Sequence, residues 1–239
     1  MDAIVTGSSR GIGRAIAVRL ARHGGTIVVN FLVNEDKAQE TAELVREAGG
    51  QAIVVQANVR DPKNLARLAA TLERYDVLVH NAAIGVLKPY DQIRPNQWDL
   101  TLESSAKPFW LLTKMVGERL VDGGAMVGLS SLGSRKHVPG YAAMGAAKGA
   151  LEALTRQLAV ELAPRRIRVN TVCGGLVDTD ALNYFPDRDA MVEAANHYTP
   201  LGRVGEPEDI AKAVELLLLP QASWITGQVL IADGGWSLL

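Results

Sequence analysis

The chain has 239 residues, with 25 Lys+Arg against 26 Asp+Glu and a formal net charge of -1. That length suits one large α/β domain with a substantial core, and the balance of charge gives no electrostatic reason to expect nucleic acid or a membrane surface. One cysteine, Cys173, excludes a disulfide framework within the chain and fits a reducing compartment. No apolar run reaches the roughly 18 residues of a membrane span, and strand character begins straight after Met1-Asp2, so the expectation is a cytoplasmic protein with no leader or transit peptide.

Ala3-Ile4-Val5-Thr6 is a short apolar run, followed by Gly7-Ser8-Ser9-Arg10-Gly11-Ile12-Gly13 and then by Ile16, Ala17 and Leu20 at helical spacing. Strand, glycine-rich turn and helix in that order predict a nucleotide site. The glycines let the backbone approach a pyrophosphate, and the helix amino end favours its negative charge. Gly7, Ser9, Arg10, Gly11, Ile12 and Gly13 are therefore candidate cofactor-binding residues; the bland alternative is a tight corner between strand and helix. The second strand, Thr26 to Phe31, precedes a charged helix from Glu35 to Ala48. It ends in Asn30-Phe31-Leu32-Val33, without the acid that bonds a ribose 2′-hydroxyl in NAD-specific folds. Arg10 is instead a candidate for a 2′-phosphate, which favours NADPH over NADH; otherwise it is a solvated surface charge.

The third strand is Ala52 to Gln56, and Asn58 and Val59 after it are candidates to line an adenine pocket; Asp61-Pro62 reads as a helix start. The fourth strand, Val77 to His80, runs into Asn81-Ala82-Ala83, small residues suited to close contact with a ligand or to a packed turn. A long helix is predicted from Asn96 to Leu120, bent near Pro108. A buried strand from Ala125 to Leu129 then leads through Ser130-Ser131-Leu132-Gly133 and a turn at Pro139-Gly140 to a helix beginning near Tyr141. Tyr141 and Lys148 are roughly two turns apart at ~3.6 residues per turn, so they are expected to share a face, at the carboxyl end of a strand where open α/β sheets bind ligands. The sixth and last strands are Ile167 to Val172 and Val229 to Ala232. Between Asp180 and Val204 the pattern loosens, as expected either of an apolar lid over a substrate or of a helix packed on the rim. Strands and helices alternate throughout. The expected fold is α/β: a single Rossmann-type, doubly wound domain over residues 1–239, with a mostly parallel seven-stranded sheet and helices on both faces. His23, His137 and His197 show no metal spacing, so no metal is expected.

Taken together these residues resemble the short-chain dehydrogenase/reductase family over essentially the full length. Thr6-Gly7-x3-Gly11-x-Gly13 matches the family's cofactor loop, and Asn81-Ala82 matches the core of its Asn-Asn-Ala-Gly motif. By the same resemblance Ser131 stands where the catalytic serine would, and Val177 and Thr179 match the positions that hold the nicotinamide carboxamide. Ordinary members place the catalytic tyrosine four residues before the lysine, which here is Met144; this chain has Tyr141-x6-Lys148, a spacing characteristic of enoyl-thioester reductases. Ser105 stands in place of the family's catalytic asparagine, His80 in place of the first asparagine of the fourth-strand motif, and Gly174 in place of a proline. Ser131-Leu132-Gly133-Ser134, Gly174-Gly175, Asp178-Thr179-Asp180-Ala181-Leu182 and Phe185-Pro186 are similar to the enoyl-acyl-carrier-protein reductase III branch, which uses NADPH, although Val33 stands where that branch tends to carry an arginine. The resemblance also implies a homotetramer.

The spacing suits conjugate reduction. In ketone reduction the carbon that takes hydride also carries the oxygen to be protonated. In enoyl-thioester reduction hydride goes to the β-carbon and charge develops on the thioester oxygen, two bonds further away. Moving a phenol from position 144 to 141 shifts its anchor by roughly 4.5 Å at ~1.5 Å per residue. Tyr141 is then the expected donor to that oxygen, and Lys148 is expected to hold the nicotinamide ribose and to make a nearby phenol more acidic. Ser131 is secondary. The expected substrate is a trans-2-enoyl thioester of acyl carrier protein or coenzyme A. The competing readings are a carbonyl reductase and a non-catalytic dinucleotide-binding protein. The basic run Arg135-Lys136-His137 either meets an acidic carrier protein or is solvated loop charge.

Overall fold

The computed structural model describes residues 1–184 and 187–239; of the motifs above, Phe185-Pro186 lies outside them. Seven strands, β1 (Ala3–Val5), β2 (Thr26–Phe31), β3 (Gln51–Gln56), β4 (Tyr75–His80), β5 (Leu120–Ser131), β6 (Arg168–Gly174) and β7 (Val229–Ala232), form one sheet in the order β3-β2-β1-β4-β5-β6-β7. Every pairing is parallel. Among the described residues eight α-helices accompany them: α1 (Gly11–Ala21), α2 (Glu35–Glu47), α3 (Pro62–Ala69), α4 (Pro95–Leu102), α5 (Ala106–Gly117), α6 (Ala142–Glu161), α7 (Arg188–Tyr198) and α8 (Pro207–Leu218).

Because side chains alternate across a strand, consecutive apolar residues feed two cores. Ile4, Val28, Leu78 and Met126 join Leu65, Leu68, Phe109, Leu112, Leu151 and Leu158 of α3, α5 and α6. Their neighbours Val5, Val29, Val79 and Val127 join Ile16 and Leu20 of α1 and Val214 and Leu217 of α8. Both faces are therefore covered, as a parallel sheet requires. The order reverses between β1 and β4, and the crevice beyond their carboxyl ends is where such sheets take ligands. No helix among the described residues is long and apolar enough to cross a membrane.

The predicted helix from Asn96 to Leu120 is two helices. The chain leaves α4 after Leu102 and restarts at Ala106, with Ser105 as N-cap at φ -121°, ψ -91°. Pro108 therefore falls in the first turn of α5, where no intrahelical donor is lost, rather than at a bend. Leu120 is not helical: it opens β5, pairs with Tyr75 and is buried, because the sheet offers its side chain more apolar contact than a frayed helix end would. The predicted fifth strand thus gains residues at both ends. The stretch from Asp180 to Val204 contains a short 3₁₀ turn (Asp180–Tyr184) and α7.

Candidate active site

The glycine loop is shaped by close approach. Gly7 has φ +63°, a left-handed conformation that side chains rarely adopt, and a Cβ on Gly13 would run into the Gly7 carbonyl oxygen and the Asn81 side-chain nitrogen. The loop is braced from behind. Gly7 N donates to Asn30 Oδ1 at 2.9 Å, and Asn81 Nδ2 donates to the carbonyls of Thr6 and Gly7, both at 3.0 Å. Thr6 Oγ1 accepts from the N–H groups of Asn81 and Ala82, each at 3.0 Å. Asn81 thus spends its amide on the loop backbone. Gly11 stands opposite Thr179, which brings the stretch after β6 over the amino end of α1.

Two cations beside that loop share one anion. Arg10 Nη1 and Lys37 Nζ each lie 3.3 Å from Asp180 Oδ2, and Lys37 foremost, then Arg10, holds the Asp180 carboxyl below its ordinary range. Lys37 did not stand out in the sequence. Its signal was its place in the first turn of the helix after β2, behind the N-cap Asn34 whose side chain accepts from its N–H. Val33, by contrast, is 83% exposed and turned to solvent. Asn58 uses its side chain locally, accepting from Arg60 N at 3.0 Å, and Val59 is buried in the core beneath α3. Val177 is buried against α8 and bridges to Gly205.

Ser131 closes β5, paired with Gly174 of β6. Tyr141 is the N-cap of α6, at φ -106° and ψ 12°. Its ring lies over Gly133, where a Cβ would collide with Cδ1, and the Ser131 hydroxyl lies near enough to its phenol to counter the rise in the phenol's pKa. Met144, at the position where ordinary members carry the tyrosine, fills space left by Gly85, whose added Cβ would strike its Sδ. Lys148 is buried on the inner side of α6, and Nζ donates to Leu129 O at 2.7 Å. Burial pushes its pKa down to about 8.

The expectation that Lys148 acidifies the phenol fails. Burial raises the Tyr141 pKa, Ser131 works against that rise, and the Cys173 thiol adds to it. Lys148 is not among the groups that shift the phenol, although the Tyr141 carbonyl accepts the first hydrogen bond of α6, from Gly145 N at 2.6 Å. The phenol is therefore held in its protonated form.

His80, noted in the sequence only as a departure from the family's asparagine, and Glu152, which did not stand out there, complete the site. His80 is buried, stacked on Phe109 at 5.5 Å, and pushed down to about 3 by burial and by the Lys148 charge. Its Nε2 lies 2.9 Å from the Ser105 carbonyl and so carries the proton, leaving Nδ1 to accept from Thr6 Oγ1 at 3.3 Å. Glu152, one turn beyond Lys148 and buried, accepts from Ser130 at 2.7 Å, from Ser134 at 2.6 Å and from Arg135 at 3.2 Å. It fixes the loop that carries Ser131 and Gly133. The Ser105 hydroxyl is buried with no partner among the described residues. No metal-binding group of three or more His, Cys, Asp or Glu exists among those residues either.

A family model described as enoyl-(acyl carrier protein) reductase matches residues 7–237. The 1-cyclohexenylcarbonyl-CoA reductase of Streptomyces collinus is 40% identical over 242 residues, covering 99% of this chain and 86% of that protein. Among solved structures, the promiscuous reductase LugOII, which catalyses keto-reduction at C1 during lugdunomycin biosynthesis, superposes with a TM-score of 0.91 at 36% identity, covering 98% of this chain and 96% of that one. The angucycline C-6 ketoreductase LanV, with bound NADP, gives 0.92 at 33%, covering 99% and 95%. The chain belongs to the short-chain dehydrogenase/reductase family of oxidoreductases.

Proposed function

We propose that the protein reduces the carbon–carbon double bond of a trans-2-enoyl thioester with NADPH. The observation that carries this reading is the shifted phenol: Tyr141 caps α6 with its ring over Gly133 and its phenol near Ser131, while Met144 fills the place of the ordinary tyrosine. The glycine cradle and the Arg10–Lys37 pair fit a dinucleotide with a 2′-phosphate, since those two cations already converge on one carboxylate oxygen. Ser9 and Ile12 belong to the same loop, Asn58 and Val59 border the adenine end, and Val177 and Thr179 border the nicotinamide end. When bound, NADPH supplies the hydride that goes to the substrate's β-carbon.

The chain's own residues then act on the thioester. Tyr141, kept protonated by burial, donates a hydrogen bond to the thioester oxygen as charge develops there. An enolate needs a donor that stays in place while its α-carbon takes a proton from water, which completes the saturated thioester, whereas an alkoxide must itself be given a proton, so a raised phenol pKa suits the former. Ser131 orients the phenol. Lys148, with one of its three donors on Leu129 O, turns the others to the ribose hydroxyls. The stretch from Asp180 to Val204, which turns its own Leu182 and Ala195 inward, covers the acyl chain and excludes water. Trp110 on α5 and Val160 on α6, 46% and 75% exposed, are apolar surface suited to a homotetramer.

The relative from Streptomyces collinus supports this reading, because a cyclohexenylcarbonyl thioester carries its double bond in conjugation with the thioester carbonyl. Carbonyl reduction is the second reading, favoured by the ketoreductases LugOII and LanV among the solved relatives. One paired assay separates the two. Purified protein with NADPH is expected to consume a crotonyl or longer enoyl thioester and to leave 3-oxoacyl thioesters untouched. The opposite preference supports the ketoreductase, and turnover of neither supports a protein that only binds the dinucleotide.

A further inference from the structure

A groove of about 680 Å³ opens along the outer side of Tyr141, walled by the loop after β4, the loop after β5 and the amino end of α6. Lys88, Lys136 and His137 line it, and its lining includes no carboxylate. The two loops are tied together by Lys88 N, which donates to Gly140 O at 2.8 Å next to Tyr141, so the cations stand on the same frame as the phenol. Arg135 is already paired with the buried Glu152. Among the described residues Lys88 and Lys136 have no ion-pair partner. Two lysines collected at one concavity without a counter-charge repel one another, and a bound anion relieves that repulsion.

Tyr141 lines this groove while its phenol stands near Ser131. A thioester whose oxygen meets Tyr141 therefore has its sulfur arm leading out past Gly140 towards the lysines. We propose that the groove is the seat of the phosphorylated nucleotide end of coenzyme A, with Lys88 and Lys136 on its phosphates and His137 as a further donor; this rests on the enoyl-thioester reading above. Free coenzyme A fits better than a carrier protein because the cations line a concavity of small-molecule size. A folded carrier presents a convex, acidic helix and calls for a broad flat patch instead.

The test compares crotonyl-coenzyme A with the crotonyl thioester of N-acetylcysteamine, which has the same reacting head and no phosphate. In Lys88→Ala/Lys136→Ala the KM for crotonyl-coenzyme A is expected to rise about tenfold, as two exposed charge contacts are lost. The kcat, and all kinetics with the short thioester, stay unchanged. Raising the salt concentration weakens the coenzyme A thioester in the wild type and much less in the double variant. Equal KM values for crotonyl-coenzyme A in both proteins overturn the proposal, as does a rise confined to a crotonyl-carrier-protein thioester, which assigns the lysines to a protein partner. Titration of free coenzyme A by calorimetry keeps the two ideas apart. If the wild type turns over no enoyl thioester, the functional reading fails, yet weaker binding of coenzyme A by the variant still upholds the groove, and unchanged binding refutes it.

Discussion

Gly133→Ala is the sharpest probe of how the phenol is held. The backbone at 133 is not left-handed, so alanine brings no torsional strain; its methyl group simply enters the space of the Tyr141 ring, colliding with Cδ1 and lying 3.2 Å from Cγ. Ordinary carbon contacts lie near 3.5–4.0 Å, so the ring must retreat by about 1 Å or more. The loop cannot easily yield in its place, because Ser130, Ser134 and Arg135 tether it to the buried Glu152. A donor displaced that far loses most of its worth, and one oxyanion donor contributes about 3 kcal/mol, or roughly a hundredfold in kcat. The assay is steady-state reduction of crotonyl-coenzyme A by NADPH, with NADPH affinity and thermal midpoint measured alongside. The expected result is a kcat lower by about two orders of magnitude with NADPH binding retained. Tyr141→Phe should lose a similar amount, and the double variant no more than either, since both remove one interaction. A Gly133→Ala enzyme that folds normally and keeps kcat within about threefold of wild type refutes the reasoning.

Further outcomes follow from the charges. Lys37→Ala is expected to raise the KM for NADPH about fivefold, leaving NADH unaffected, while Asp180→Asn lowers it by removing the carboxylate that occupies the same cations; parallel NADPH and NADH titrations check both. Lys148, with its pKa lowered to about 8, is charged below that pH, so kcat/KM is expected to fall as pH rises through about 8. Its folded pKa is below its unfolded one, so its burial costs stability below about 8 and that cost is relieved between there and 10.5. His80 is neutral when folded, with a pKa of about 3 against 6.5 unfolded, so the stability tied to it is present above 6.5 and lost as pH falls towards 3. Urea unfolding at a series of pH values should show His80→Gln to be less acid-sensitive than wild type; identical acid profiles contradict the assignment.

Much of this architecture could be read from the chain. Uninterrupted runs such as Ile27-Val28-Val29 and Met126-Val127 announce strands buried on both faces, and a glycine loop between strand and helix announces the cofactor crevice. The break between α4 and α5 was hidden because the residues from Glu103 to Ser105 look helical, and only packing against the loop after β4, where Ser104 Oγ takes Ile84 N at 3.1 Å, pulls them out of the helix. Lys37 was hidden because a lysine in a charged helix is ordinary until a second cation and an acid from another part of the chain meet it. The raised pKa of Tyr141 was hidden for a different reason: spacing measures a helical face, whereas the burial that sets the phenol comes from segments far away in the chain. The space for the phenol depends on Gly133 and that for Met144 on Gly85, matches that exist only once distant segments are brought together.

Where the hydride lands decides between the two chemistries, and isotopic labelling reads that position. NADPH carrying deuterium at the transferable position, incubated with the protein and crotonyl-coenzyme A, is expected to yield butyryl-coenzyme A with one deuterium on the β-carbon. A protein that leaves the enoyl thioester unlabelled and instead converts acetoacetyl-coenzyme A to a 3-hydroxy product bearing the deuterium contradicts it.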